Sequence, residues 1–169
     1  VQREIPEVRM YVVGDDPPPH FRAFDSDTVK VTGYVQDVTG FFSDCRVFVA
    51  PLRYGAGIKG KINQSMSYGL PVVTTTIGAE GMGLIHGENA LIADDPGHFA
   101  DEVIRLYRDE ALWNRISSGS QENVKQFFSY EAAVTAIKGI LSSSDSGFIQ
   151  GKADSGRREP KKERDLRIR

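Results

Sequence analysis

Residues 46–76 read RVFVAPLRYGAGIKGKINQSMSYGLPVVTTT, and the architecture turns on how this stretch divides. Residues 47–50 (VFVA) form a short apolar run suited to a buried parallel strand. Residues 53–61 carry glycines at 55, 57 and 60 and cations at 53, 59 and 61, which reads as a loop. Ile62, Met66 and Leu70 then recur at helical spacing up to Gly69-Leu70-Pro71, a stop signal for the helix. Val72-Val73-Thr74 opens the next strand. Strand, glycine-rich loop, helix and strand make one crossover unit of a doubly wound parallel sheet.

The chemistry of the loop suits an anion. A helix N-terminus presents unpaired backbone N–H groups and a partial positive charge. Glycines let a ligand approach the backbone, and Arg53, Lys59 and Lys61 add mobile positive charge. The matching ligand is a phosphate or diphosphate at the carboxyl end of the strand. Two familiar signatures fit only in part. Gly55 to Lys61 spells the start of a Walker loop, but Ile62 stands where the magnesium-binding Ser or Thr belongs. Gly55, Gly57 and Gly60 also spell G-x-G-x-x-G, yet Pro51-Leu52-Arg53-Tyr54 is too long an approach for the tight turn of a dinucleotide site. From the residues alone, the loop reads as an anion cradle or as a plain turn.

Bulk properties narrow the classes. The chain has 169 residues, 40% apolar content and a formal charge of −2. That describes one ordinary globular domain with a real core, not a general nucleic-acid binder. Cys45 is the only cysteine, which excludes an intrachain disulfide and a cysteine-built metal site. His20, His86 and His98 lack metal-ligand spacing and read as surface residues. No apolar run approaches the ~20 residues of a membrane span. The opening Val1-Gln2-Arg3-Glu4-Ile5-Pro6 reads as the end of a helix whose start is missing, so a fragment of a longer protein is expected.

Working outward, residues 8–13 (VRMYVV) read as a strand closed by Gly14. Asp15-Asp16-Pro17-Pro18-Pro19 reads as a loop, followed by a turn of helix at 21–24. Residues 29–31 form a short strand, and Asp37 is the expected cap of a helix carrying Val38, Phe41 and Phe42. After Thr76 a second glycine-rich loop runs through Glu80 and Gly81. Residues 90–93 form a strand. Asp95-Pro96, Asp109-Glu110 and Ser129 open three further helices. The domain is expected to span residues 1–141. Residues 142–169 read as a polar tail, mobile from Asp145, with acidic and basic residues interleaved.

Together these pieces resemble the carboxyl-terminal, donor-binding half of a GT-B glycosyltransferase of the family 4 type (glycosyl transferases group 1). The residues that carry the resemblance are Pro51 to Lys61, Met66-Ser67-Tyr68-Gly69-Leu70-Pro71-Val72-Val73-Thr74-Thr75 and Gly78-Ala79-Glu80-Gly81. Flanking support comes from Tyr11-Val12-Val13-Gly14, Val31-Thr32-Gly33-Tyr34-Val35 and Gly87-Glu88-Asn89-Ala90-Leu91-Ile92. The resemblance covers the chain to about Leu141. It implies an α/β Rossmann-like parallel sheet with helices on both faces, lacking its first strand, part of its first helix and the amino-terminal partner half.

The implied activity is retaining transfer of a sugar from a nucleotide-sugar to an acceptor. The nucleotide-sugar is a substrate, so no resident cofactor and no metal are implied, and the setting would be cytoplasmic, with peripheral membrane contact left open. Arg53, Gly55, Gly57, Ile58, Lys59 and Lys61 would hold the donor diphosphate. Gln64 would hold the ribose, Tyr34, Val35 and Gln36 would border the base, and Glu80 would face the donor or cap a turn. The family's two spaced Glu residues fall on Ala56 and Gln64, so neither carboxylate is present. A non-catalytic nucleotide-sugar-binding module is the alternative reading. A phosphoreceiver domain is a further rival, prompted by Asp15-Asp16, but no Asp closes the strand at residues 47–50.

Overall fold

The computed structural model describes residues 1–148, with side chains described to residue 142. Five short strands form two parallel sheets. Strand β1 (Met10–Val13) pairs with β2 (Val29–Gly33), and β3 (Phe48–Ala50), β4 (Val72–Thr74) and β5 (Leu91–Ile92) pair in that order. Seven helices intervene: α1 (Pro19–Arg22), α2 (Thr39–Asp44), α3 (Gly60–Ser67), α4 (Thr76–Ala79), α5 (Pro96–Arg108), α6 (Glu110–Phe128) and α7 (Tyr130–Phe148). This is the expected parallel α/β architecture. The chain divides after Ala132 into two units; the first holds the five strands and α1–α6.

Strand β4 explains why helices cover both faces. Successive strand residues point to opposite sides, and both Val72 and Val73 are fully buried. Val73 joins Leu91, Val103, Leu106, Leu112 and Ile116 in a core under α5 and α6. Val72 joins Ala50, Ile62, Met66 and Met82 in a second core under α3. Ile62 and Met66 recur at i and i+4, so one stripe of α3 faces that core. On the β1 side, the aromatic rings of α2 bridge the sheets. Phe41 lies edge-on to Tyr11, 5.4 Å between centroids, while Phe42 contacts Phe48 and stacks on Tyr68.

Capping follows the sequence in three places. Asp95 accepts from Gly97 and His98 N–H, Asp109 from Leu112 N–H, and Ser129 from Ala132 N–H. It departs elsewhere. Asp37 accepts from Thr39 N–H at 2.8 Å but sits one residue before the Val38 cap position. These hydrogen bonds from Thr39 hold the Asp37 carboxyl below its usual range. Pro19 belongs to α1 and not to the preceding loop, because a proline is tolerated at a first helical position. Residues 1–7 form hydrogen-bonded turns, in which Glu4 and Ile5 N–H both donate to Val1 O. Helix α4 occupies part of what read as loop. Helix α7 continues to Phe148, past Leu141; the rest of the expected polar tail, residues 149–169, lies outside the described residues. No helix among the described residues is long and apolar enough to cross a membrane.

Gly78 shows how tightly α4 is set on β4. A methyl built there would overlap the Thr74 hydroxyl, which is itself buried and donates to Ala50 O at 3.0 Å. The obstruction is a pinned group and not a flexible tip. Gly78→Ala is therefore expected to cost about 1–3 kcal/mol in urea unfolding. Gly14→Ala, whose methyl meets nothing within 4 Å, is expected to stay within about 0.5 kcal/mol of wild type. Equal midpoints for the two variants would contradict this packing.

Candidate functional site

The exit of β3 is anchored before the loop begins. Leu52 N–H donates to Ala50 O, making a tight turn, and Thr75 Oγ1 donates to Leu52 O at 2.6 Å. Thr75 Oγ1 also accepts from Gly78 N–H, so one hydroxyl ties the loop base to the start of α4. Beyond this anchor residues 53–58 are all exposed; Tyr54 is 84% and Ile58 65% accessible. The chain turns through Gly55 at φ 148° and Gly57 at φ 72°. Gly57 lies in the left-handed region that side chains disfavour.

Helix α3 begins at Gly60, which places Lys61 in its first turn and corrects the expectation of a loop running through residue 61. No side chain caps this end. The cap residue is Lys59, whose side chain can only donate. The first turn therefore presents N–H groups without a protein acceptor from a capping side chain. Lys59 links two loops instead. Its N–H donates to the Met82 sulfur at 3.3 Å and its ammonium to Glu80 O at 2.9 Å. Met82 is fully buried in the α3 core, so this contact pins the helix start to the interior.

Charge is the second feature. Lys59 bonds a carbonyl, and the Lys61 ammonium donates to Gln64 Oε1 at 3.1 Å. Among the described residues, Arg53, Lys59 and Lys61 form no ion pair; those present involve Glu4 and Glu102. Lys59 and Lys61 thus stand at an uncapped helix N-terminus, with Arg53 on the exposed loop before it, and among the described residues no carboxylate pairs with any of the three. Glu80 meets the loop through its backbone carbonyl, and its side chain is exposed.

The other expected residues lie apart. Tyr34, Val35 and Gln36 follow β2; Tyr34 and Gln36 are exposed, and no hydrogen bond or ring contact among the described residues joins them to the loop. A cavity of about 210 Å³ near the carboxyl end of β2 is lined by Pro17, Arg22, Asp25, Val31, Thr32 and Gly33, and not by those three. The histidines are not all bare surface. His98 lies on α5, with Nε2 at 3.3 Å from the buried Glu102 carboxylate, which also pairs with Arg105. His86 Nδ1 accepts from Ile92 N–H. Among the described residues no group of three His, Cys, Asp or Glu side chains could hold a metal. Burial, with Asp44 adding to it, raises the Cys45 thiol, as suits a structural cysteine.

Parallel α/β units with donor-rich loops at the carboxyl ends of strands form the doubly wound class that holds phosphate-bearing ligands. Within that class the chain belongs to the family of glycosyl transferases group 1, which it matches over residues 1–109. It is 24% identical over 110 residues to the putative glycosyltransferase YtcC of Bacillus subtilis, a match covering 63% of this chain and 27% of that protein. In fold it is similar to the C-terminal domain of the group 1 glycosyl transferase LpcC from Francisella tularensis. That likeness has TM-score 0.65 and 16% identity, covering 76% of this chain and 74% of that one. It is also similar to Anabaena HepE in complex with UDP, with TM-score 0.70 and 21% identity, covering 82% of this chain and 42% of that one. The chain spans about a quarter of the length of the curated relatives it matches.

The loop geometry gives a direct contrast between two of its glycines. Gly57→Ala would force a side chain into the left-handed region and is expected to cost about 1 kcal/mol. Gly60→Ala meets open space at a helical position, so it is expected to be neutral or to stabilise by up to about 1 kcal/mol. Thermal melts of the two variants check this; a stabilised Gly57→Ala would contradict the observed loop.

Proposed function

We propose that this chain is the donor-binding part of a retaining glycosyltransferase that moves a sugar from a nucleotide-sugar to an acceptor. The observation that carries the reading is the uncompensated donor cluster at the start of α3, in a chain of the glycosyl transferases group 1 family. In this reading the donor diphosphate lies over the N-terminus of α3. Lys59, Lys61 and Arg53 meet its oxygens together with the backbone N–H groups of Gly57 and Ile58, and Gly55 keeps the approach open. Tyr34, Val35 and Gln36 border the base, and Glu80 stands on the donor side of the neighbouring loop.

The chemical logic is electrostatic. Breaking the bond from sugar to diphosphate builds negative charge on the leaving group as the sugar becomes oxocarbenium-like. Fixed N–H dipoles and cations stabilise charge that develops in the transition state, and they need no rearrangement to do so. No metal or resident cofactor has a role in this scheme. A nucleotide-sugar donor also places the reaction on the cytoplasmic side in our reading.

The rest of the polypeptide has a defined place in the proposal. Strands β1 and β3 are not hydrogen-bonded to each other. In our reading the two sheets are parts of one doubly wound sheet, in the order β2-β1 and then β3-β4-β5, with its central strand left out. We assign that place to a parallel strand supplied elsewhere in the polypeptide, along with an acceptor-binding half.

Ligand-observed NMR with UDP, GDP and ADP, then with their sugar conjugates, tests the donor reading. One nucleotide is expected to bind saturably. A hydrogen bond to a charged group contributes about 1.5–3 kcal/mol, so Lys59→Ala is expected to weaken binding at least about tenfold. Binding of no nucleotide, or unchanged binding in the variant, would contradict it.

A further inference from the structure

We propose that a groove between the turn before β5 and helix α6 binds an arginine-bearing peptide segment, with apolar residues beside the arginine. The groove has a volume of about 480 Å³ and shares no residue with the candidate donor site. Its helical wall is one stripe of α6. Gly119, Glu122, Asn123, Gln126 and Phe127 recur at i, i+3, i+4, i+7 and i+8, so they share a face. The facing wall carries Leu84, Ile85 and Glu88. The two walls are fixed to each other. Asn89 and Asn123 Nδ2 both donate to Gly83 O, at 3.1 and 2.8 Å, and Ser120 Oγ donates to Asn89 O at 2.8 Å. A methyl built at Gly119 would overlap Glu88 O, so turn and helix meet backbone to backbone. A groove held in this way is formed before a ligand arrives, which lowers the cost of binding.

Three observations set the chemistry of the occupant. Asn123 is only 4% exposed; its Nδ2 is engaged by Gly83 O, and its Oδ1 accepts from no described group. A buried acceptor without a donor is costly, and a donor supplied by a ligand removes that cost. Glu88 and Glu122 are exposed carboxylates on the two walls, and among the described residues neither is ion-paired. Arg115 donates its Nε to Gly87 O at 3.1 Å and pairs with neither. Ile85 and Phe127 are each 53% exposed, which leaves apolar surface open to water. Apart from the Gln126 amide, the free polar groups of the groove are acceptors, with negative charge between apolar walls. A guanidinium answers them, because it carries five donors and no acceptor. Its planar face also suits an aromatic ring, which Phe127 offers. A lone guanidinium would leave Ile85 and Phe127 wet, whereas apolar residues flanking an arginine cover them. That coverage selects a peptide over a free guanidino compound.

The test is an amide NMR titration of the nitrogen-labelled chain with the capped tripeptide acetyl-Leu-Arg-Leu-amide. The comparison ligands are acetyl-Leu-Gln-Leu-amide, which lacks the charge, and agmatine, which lacks the flanking apolar residues. The arginine peptide is expected to shift the amides of Ile85, Asn123 and Phe127 along one saturable curve. Exchanging its arginine for glutamine should weaken binding about fivefold at low salt, and so should the double variant Glu88→Gln with Glu122→Gln. Raised salt should narrow both gaps. Both glutamates are exposed, so the double variant is expected to keep its fold, and melting temperatures check that it does. Absence of shifts at these three amides would overturn the proposal. Equal binding of the glutamine peptide, or unchanged binding in the double variant, would overturn it too. If agmatine binds as tightly as the arginine peptide, the groove takes a free guanidino compound and the peptide assignment is wrong.

Discussion

Strand β4 has no face left for water, and the rest of the molecule is arranged around that fact. Val72 and Val73 point to opposite sides and each seeds a core. The next residue, Thr74, is buried as well, and its hydroxyl is satisfied by Ala50 O. A strand buried on both faces needs helices on both sides; α3 covers one core and α5 the other, while α6 packs against both, through Leu112 and Ile116 on the α5 core and Val124 and Phe128 on the α3 core. Each methyl of those valines removed from water contributes on the order of 1 kcal/mol. The same burial leaves no room above Thr74, which is why glycine stands at residue 78.

The candidate site is the polar consequence of this apolar frame. Burial ends at the carboxyl edge of β3 and β4, where Thr75 ties the two exits together. Beyond the threonines the loop turns through glycines and carries Arg53 and Lys59, with Lys61 in the first turn of α3, and among the described residues none of the three is ion-paired. Lys59 bridges back to Glu80 O and Met82, so the loop is exposed without being detached. A protein gains nothing in stability by gathering like charges at an uncapped helix N-terminus, where the macrodipole already favours an anion. Such an imbalance suits an anionic ligand, which is the reading proposed above.

Much of the frame was legible in the sequence, because its signals are local. The run at residues 47–50, the Ile62 and Met66 spacing and the glycine-proline stop at 69–71 each report neighbours within a few residues. The caps at Asp95, Asp109 and Ser129 do so too. What stayed hidden depends on long-range geometry or on elements too short to show a period. Four residues of α4 cannot display helical periodicity. The meeting of His98 with Glu102 on α5 was legible in principle, as an i to i+4 pair, whereas the approach of His86 Nε2 to within 3.9 Å of the same carboxylate required the turn before β5 to fold. At the site, the cations and glycines could be read directly. That Lys59 would settle on a backbone carbonyl could not, since a carbonyl carries no sequence signature. The cavity lined by Arg22 and Asp25 likewise comes from the turn of α1 folding back on β2, where Val31 N–H donates to Asp25 Oδ1.

The central claim is that the uncapped start of α3 and its three cations form one anion cradle. A residue-resolved amide NMR titration of nitrogen-labelled protein with a nucleoside diphosphate tests it most directly. The account predicts that the amides of Ile58, Gly60 and Lys61 shift together along one saturable curve. If those amides stay still while the ligand moves amides around Thr32 and Gly33 instead, the cradle is not where the anion binds.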